Sequence, residues 1–169
     1  MIWFPQTLVL GYGATRLLPR TKDSHRYGGK YGRVDNLFDP FVPLVDAIHW
    51  MTNLDENHFD YTVRSLKDVL NLDEDDYFYR QNDNVYLKRD KSHTTLIQLS
   101  DGYQSVLALT ADILEIVFRI WPTPEKAHGV VLLDEVGAHL HPTWKMKIVK
   151  SLRNLFPGIQ FIVTTHHPL

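Results

Sequence analysis

The run Gly129-Val-Val-Leu-Leu-Asp-Glu135 constrains this chain more than any other feature. A strand with apolar residues at successive positions has no wet face, which is the pattern of a strand inside a parallel sheet flanked by helices. It predicts a central parallel strand whose carboxyl end carries two acids. The flanking sequence agrees. Residues 102–121 contain no proline. Within them Val106, Leu109, Ile113, Val117 and Ile120 form one apolar stripe, and Leu107, Leu114 and Phe118 form a second, so this helix is buried on more than one side. Pro122 and Pro124 end it. After Pro142, a helix over residues 144–156 sets Ile148, Leu152 and Leu155 on one face and Lys145, Lys147, Lys150 and Arg153 toward water. Pro157-Gly158 stops that helix, and Ile159-Gln-Phe-Ile-Val-Thr-Thr165 reads as another buried strand. The product is a β–α–β unit with the usual right-handed crossover.

The first half is less regular. Gln6-Thr-Leu-Val-Leu-Gly-Tyr-Gly-Ala-Thr-Arg16 is a short buried strand running into a turn. Residues 16–33 carry Arg16, Arg20, Lys22, Arg26, Lys30 and Arg33 against the single acid Asp23, with Gly28, Gly29 and Gly32 between them. This basic loop is either a phosphate or nucleic-acid contact or a solvated connection. Beyond Pro40 and Pro43, Leu44, Ile48 and Met51 share a helical face, and Val63, Leu66, Val69 and Leu70 repeat the pattern over residues 61–70. Asp73-Glu-Asp-Asp76 reads as a solvated turn, since the glycine and terminal glutamate of a calcium loop are missing. Asn84-Val-Tyr-Leu-Lys-Arg and Thr94-Thr-Leu-Ile-Gln-Leu99 predict a hairpin around Asp90-Lys-Ser-His93.

Composition excludes several functional classes. Eighteen Lys and Arg against 20 Asp and Glu give a formal net charge of −2, which rules out a globally basic nucleic-acid coat. Cysteine is absent, and with it disulfides, iron–sulfur clusters and thiolate zinc sites. No apolar run approaches the ~20 residues of a membrane span, and Met-Ile-Trp-Phe-Pro is no signal peptide, so the cytoplasm is the expected compartment and no membrane partner is expected. Gly-x-Ser-x-Gly does not occur, which removes the common serine-hydrolase pattern.

In open α/β sheets, ligands sit beyond the carboxyl ends of the strands. Two such ends are Asp134-Glu135 and Thr165-His166. Nucleoside triphosphate hydrolysis needs a carboxylate for Mg²⁺, a group that orients water, and donors for the γ-phosphate. Asp134 suits the metal and Glu135 the water.

Four pieces in order, Leu99-Ser-Asp-Gly-Tyr-Gln-Ser105 opening a helix, Val130-Val-Leu-Leu-Asp-Glu135, His139-Leu-His-Pro142 and Ile162-Val-Thr-Thr-His-His-Pro168, resemble the C-terminal lobe of an ABC-type ATPase head. The likeness is to the branch containing RecF, Rad50, the OLD nucleases and AAA family ATPases of phage defence. It implies an α/β fold: part of an ABC-ATPase (P-loop NTPase) sheet with a signature helix and flanking helices. Residues 1–98 would hold a strand, basic loop, helical region and hairpin, and residues 99–169 the signature helix, Walker B strand and switch strand, together one partial ATPase domain. The resemblance implies that Ser100, Gly102 and Gln104 belong to the signature applied to ATP on a second subunit, that Asp134 holds Mg²⁺, that Glu135 orients the attacking water, and that His166 senses the γ-phosphate. Residues 137–141 would form the loop that crosses the dimer interface. ATP and Mg²⁺ are the implied cofactors. A second ATPase head, as a homodimer, is the implied partner, with DNA or a nuclease as a possible effector. Gly11-Tyr-Gly-Ala-Thr-Arg16 and Asn36-Leu-Phe-Asp-Pro40 share the likeness without a role. A helix start with Ser100 and Gly102 is suited to phosphate, because its first amides and its dipole favour an anion.

Departures limit the reading. Gly-x-x-x-x-Gly-Lys-Ser/Thr occurs nowhere, and Gly28-Gly-Lys-Tyr-Gly32 has neither its spacing nor its hydroxyl. With Leu169 close behind the switch histidine, His166, the expectation is a truncated gene product, an excised piece or a split subunit that does not hydrolyse ATP appreciably alone. Two other classes stay open: a zinc hydrolase using His139, His141, His166 and His167 near Asp134, and a non-catalytic dimerisation or nucleic-acid module using the basic loop.

Overall fold

The computed structural model describes residues 7–16, 18, 33–137, 140 and 142–166. The basic loop, His139, His141 and His167 therefore lie outside the described residues, apart from Arg16, Leu18 and Arg33, and most of the expected interface loop does too.

Three parallel strands form the main sheet: β1 (Leu8–Tyr12), β5 (Gly129–Leu133) and β6 (Ile159–Val163), in the order β1-β5-β6. The apolar run Gly129–Leu133 is the middle strand, as its composition predicts. Leu10 pairs with Val131 and Val131 with Phe161, so one face is built from Leu8, Leu10, Tyr12, Val131, Leu133, Phe161 and Val163. Gly129 starts β5 pressed against β1: a Cβ there would lie 2.1 Å from the Leu8 carbonyl oxygen. The other face carries Val9, Gly11, Val130, Leu132, Gln160 and Ile162, and here the sequence expectation is corrected. Val9 and Ile162 are each 49% exposed, and Gln160 is exposed, so β6 is a half-buried strand. The reason is that two of the long helices lie on the first face. Helix α4 (Asp101–Ile120) reaches it through Tyr12, whose hydroxyl donates to Asp112 Oδ2 at 2.7 Å. Helix α5 (Pro142–Leu155) leads into Phe156, whose ring lies 6.4 Å from that of Phe161. On the second face the short α1 (Asp35–Phe38) covers Gly11, where a Cβ would come within 3.2 Å of Val34 and 3.3 Å of Leu37.

Helix α4 is buried from Gln104 through Val117, which fits its two apolar stripes. It packs against α2 (Ala47–Thr52) and α3 (Glu56–Val69), and α3 also meets α5. Asp46 and Asp55 cap α2 and α3 by accepting the amides of His49 and His58, each at 3.1 Å. Leu44 is buried ahead of α2 rather than on its face, because Asp46 sets the helix start beyond it.

A second sheet is antiparallel: β2 (Tyr77–Gln81), β3 (Asn84–Arg89) and β4 (Ser92–Thr95). The expected hairpin is present as β3–β4, with corrected bounds. Its turn is Asp90-Lys91, Asp90 having φ 49°, and Leu96–Gln98 form a turn of 3₁₀ helix instead of more strand. Strand β2 was not expected. Its turn to β3 is Asn82-Asp83 with φ 49° and 54°, the primed turn that a two-residue hairpin requires. Asp76 is 4% exposed, which corrects the solvated acidic turn: it accepts the Asp73 amide at 3.2 Å and pairs with Arg89 at 3.2 Å. Phe78, Val85 and Leu87 join the same apolar core as Leu10, Val131 and Leu152.

Candidate active site at the carboxyl end of the parallel sheet

The acids at the end of β5 are held differently from each other. The Asp134 amide still donates to the Tyr12 carbonyl at 2.8 Å, continuing the β1–β5 ladder. Glu135 then turns into the left-handed region, φ 49°, uncommon for a residue with a long side chain. Thr164, just past β6, closes this corner. Its hydroxyl donates to Asp134 Oδ1 at 2.5 Å and accepts the Glu135 amide at 2.9 Å, and its carbonyl accepts the Val136 amide at 3.1 Å. The left-handed turn leaves the Glu135 carboxylate 3.2 Å from His166 Nε2, with the glutamate side chain 24% and the imidazole 88% exposed. Asp134, Glu135 and His166, singled out in the sequence, thus sit together at adjacent strand ends.

Beneath them lies a residue the sequence reading left in the basic loop. Arg16 is 2% exposed. Its guanidinium donates to the carbonyls of Gly13 at 2.9 Å, Asp134 at 2.8 Å, Glu135 at 2.9 Å and Val136 at 3.5 Å, and its Nε to Ser105 Oγ at 3.4 Å. Burial pushes the guanidinium down to about 10, against the opposing pull of Asp134 and Glu135, and it stays protonated at neutral pH. A visible signal was its place at the end of the strand-turn segment 11–16; Thr164 had its place between strand and histidine.

The expected signature residues lie at the start of α4. Ser100 is the exposed N-cap residue, φ −61° and ψ 155°, without a side-chain capping bond. Gly102 is buried in the first turn, beside the exposed Asp101. Gln104 is 6% exposed, and its amide nitrogen donates to the carbonyls of Leu99 at 2.7 Å and Ile97 at 3.0 Å, bracing the turn that enters the helix. Helix α4 is linked to the acidic corner by Arg16 with Ser105. Among the described residues no three His, Asp or Glu side chains gather as a metal cage, and three of the four histidines of the zinc alternative lie outside them.

Residues 31–169 match the family model described as "AAA domain, putative AbiEii toxin, Type IV TA system". The chain belongs to this AAA family. The AAA domain is 42% identical to the Septu protein PtuA of Bacillus mycoides over 169 positions, covering 98% of this chain and 23% of that protein. It is 44% identical over 84 residues to a protein of Escherichia coli named "Retron Ec83 probable ATPase", covering 47% of this chain and 16% of that one. A Vibrio cholerae protein named "Retron Vc95 probable ATPase" is 42% identical over 81 residues, covering 46% of this chain and 16% of that protein. The chain thus spans less than a quarter of the length of these relatives. The parallel sheet with helices against it is consistent with part of a P-loop ATPase domain of the AAA kind. No helix among the described residues is long and apolar enough to cross a membrane.

Proposed function

We propose that this AAA domain is the later part of an ABC-type ATPase head of a phage-defence system, in which ATP is bound and hydrolysed between two heads. The observation that carries the reading is the corner where Thr164 grips Asp134 while Glu135, in a left-handed turn, faces His166 at 3.2 Å. The names of the Septu and retron relatives support the class.

The donor set fits the implied cofactors. Asp134, Glu135 and Thr164 offer hard oxygens, the ligands Mg²⁺ prefers. Asp134 would hold the ion. When bound, Mg²⁺ supplies charge that neutralises the phosphate oxygens as the γ-phosphoryl leaves. Glu135 orients water and takes up its proton, while His166 holds the carboxylate's direction and donates toward phosphate. Ser100 and the Gly102 amide, at the positive end of α4, face the nucleotide of a second head, a homodimer partner, and Gln104 braces the turn that presents them. Residues 1–169 act as one partial domain, working in the cytoplasm, and the phosphate cradle comes from another segment. DNA or a nuclease is the coupled effector.

The test is ATP turnover by the assembly purified from its host through a tag on this chain. Mg²⁺-dependent hydrolysis is expected, and Glu135→Gln should lower it by about a hundredfold or more while nucleotide stays bound. Undiminished turnover in Glu135→Gln overturns the assignment.

A further inference from the structure

We infer that Arg16 is a positioning residue that imposes the left-handed turn of Glu135 and ties it to helix α4. The first part rests on the direction of three successive carbonyls. In a continuing strand the carbonyls of residues 134, 135 and 136 would alternate in direction. Here all three converge on one guanidinium, at 2.8, 2.9 and 3.5 Å. They converge because the chain turns at Glu135, φ 49°. A planar fork with five donors can collect several acceptors at once, and a lysine ammonium cannot reproduce that arrangement. The nitrogen that reaches the Asp134 carbonyl also donates to the Gly13 carbonyl, which ties the guanidinium to the turn after β1.

The second part rests on Ser105. Its hydroxyl receives Arg16 Nε at 3.4 Å, one turn into the helix whose N-terminus begins at Ser100. One buried side chain therefore spans from that helix to the backbone of the acidic corner. A shift of α4 along its axis pulls on the cation that holds Glu135. The functional meaning depends on the proposed role of Glu135: occupancy at the α4 N-terminus would be transmitted to the water-orienting carboxylate. The positioning claim concerns this chain's own backbone and is tested separately.

The experiment is nuclear magnetic resonance on the 169-residue chain with Arg16→Lys and Ser105→Ala. The amides of Asp134, Glu135 and Val136 all donate hydrogen bonds, to Tyr12, Thr164 Oγ1 and the Thr164 carbonyl, so their exchange with solvent reads the corner directly. In Arg16→Lys the backbone shifts of Glu135 should leave the left-handed range, its contact with the His166 ring should vanish, and exchange at these three amides should rise about tenfold or more, with α3 and β3 unchanged. Ser105→Ala should raise exchange at the same amides about threefold. Retention of the left-handed shifts and the His166 contact in folded Arg16→Lys overturns the inference. So does exchange that rises equally throughout the chain, the mark of a merely structural residue. If Arg16→Lys does not fold, Ser105→Ala carries the test, and unchanged corner exchange there overturns the coupling. An inactive assembly with an intact corner response would count against the ATPase reading alone.

Discussion

Thr164 donates its hydroxyl proton to Asp134 Oδ1 at 2.5 Å, across the pair of strand ends that β5 and β6 bring side by side. Because the Thr164 hydroxyl oxygen also accepts the Glu135 amide, one side chain fixes both acids. Thr164→Val keeps the branched shape and removes the hydroxyl. It is expected to lower stability by about 1 kcal/mol in urea unfolding, with Thr164→Ser close to wild type. A valine variant as stable as wild type would show that the clamp contributes nothing to the fold.

Asp112 is the buried counterpart on α4. It is fully shielded, and it receives the Tyr12 hydroxyl at 2.7 Å and the Val45 amide at 2.8 Å. Truncation removes both bonds from the carboxylate. Asp112→Ala should cost about 3 kcal/mol in urea unfolding, and Tyr12→Phe about 1 kcal/mol. Equal small losses from both would mean that water replaces the carboxylate.

The start of α3 predicts a pH dependence. Asp55 caps the helix, and its hydrogen bonds to the His58 ring and amide hold its carboxyl below the ordinary 3.8. A carboxyl whose folded value is depressed binds fewer protons when folded, so its contribution is present above 3.8 and fades as pH falls through the lower folded value. The difference in melting temperature between wild type and Asp55→Ala should therefore shrink from about pH 5 to pH 2. A constant difference over that range would contradict the cap's ionic character.

Phe38 and Phe41 are 80% and 89% exposed in a segment anchored by Asn36, which accepts the Gly13 amide at 3.0 Å and donates to the Val42 carbonyl at 2.8 Å. Replacing both phenylalanines by serine should change folding stability by no more than about 0.5 kcal/mol. Asn36→Ala should cost more, about 2 kcal/mol, since it removes buried bonds. Denaturation of the two variants side by side decides.

The pure chain has no phosphate-cradle motif, so calorimetric titration with MgATP should give binding no tighter than about 1 mM. Tight binding of one ATP per chain would mean that a loop within these residues replaces the cradle.

The parallel sheet was legible because β5 is apolar throughout and its neighbours are separated by helices bounded by proline and glycine. The exposed part of the second face was not, because alternate residues of β6, Gln160 and Ile162, are told apart from their half-buried neighbours only by which side α4 and α5 take. Strand β2 was hidden by its polar end, Arg80-Gln81, and by the acidic run before it. Arg80 earns its place only in three dimensions, by donating to the Leu54 carbonyl at 2.6 Å and lying over Phe59. At the site, Asp134, Glu135 and His166 stood out as the chemistry-bearing residues at strand ends. Arg16 did not, since its partners at the acidic corner lie some 118 to 120 residues further along the chain and are backbone atoms, which carry no sequence signature.

Glu135 sits at φ 49°, a conformation that glycine or asparagine adopts more readily than glutamate. The fold would thus welcome the loss of this carboxylate. Copies of the gene released from selection for the acid should drift first at this codon, toward residues that relax the corner, while an intact glutamate marks a lineage still using it.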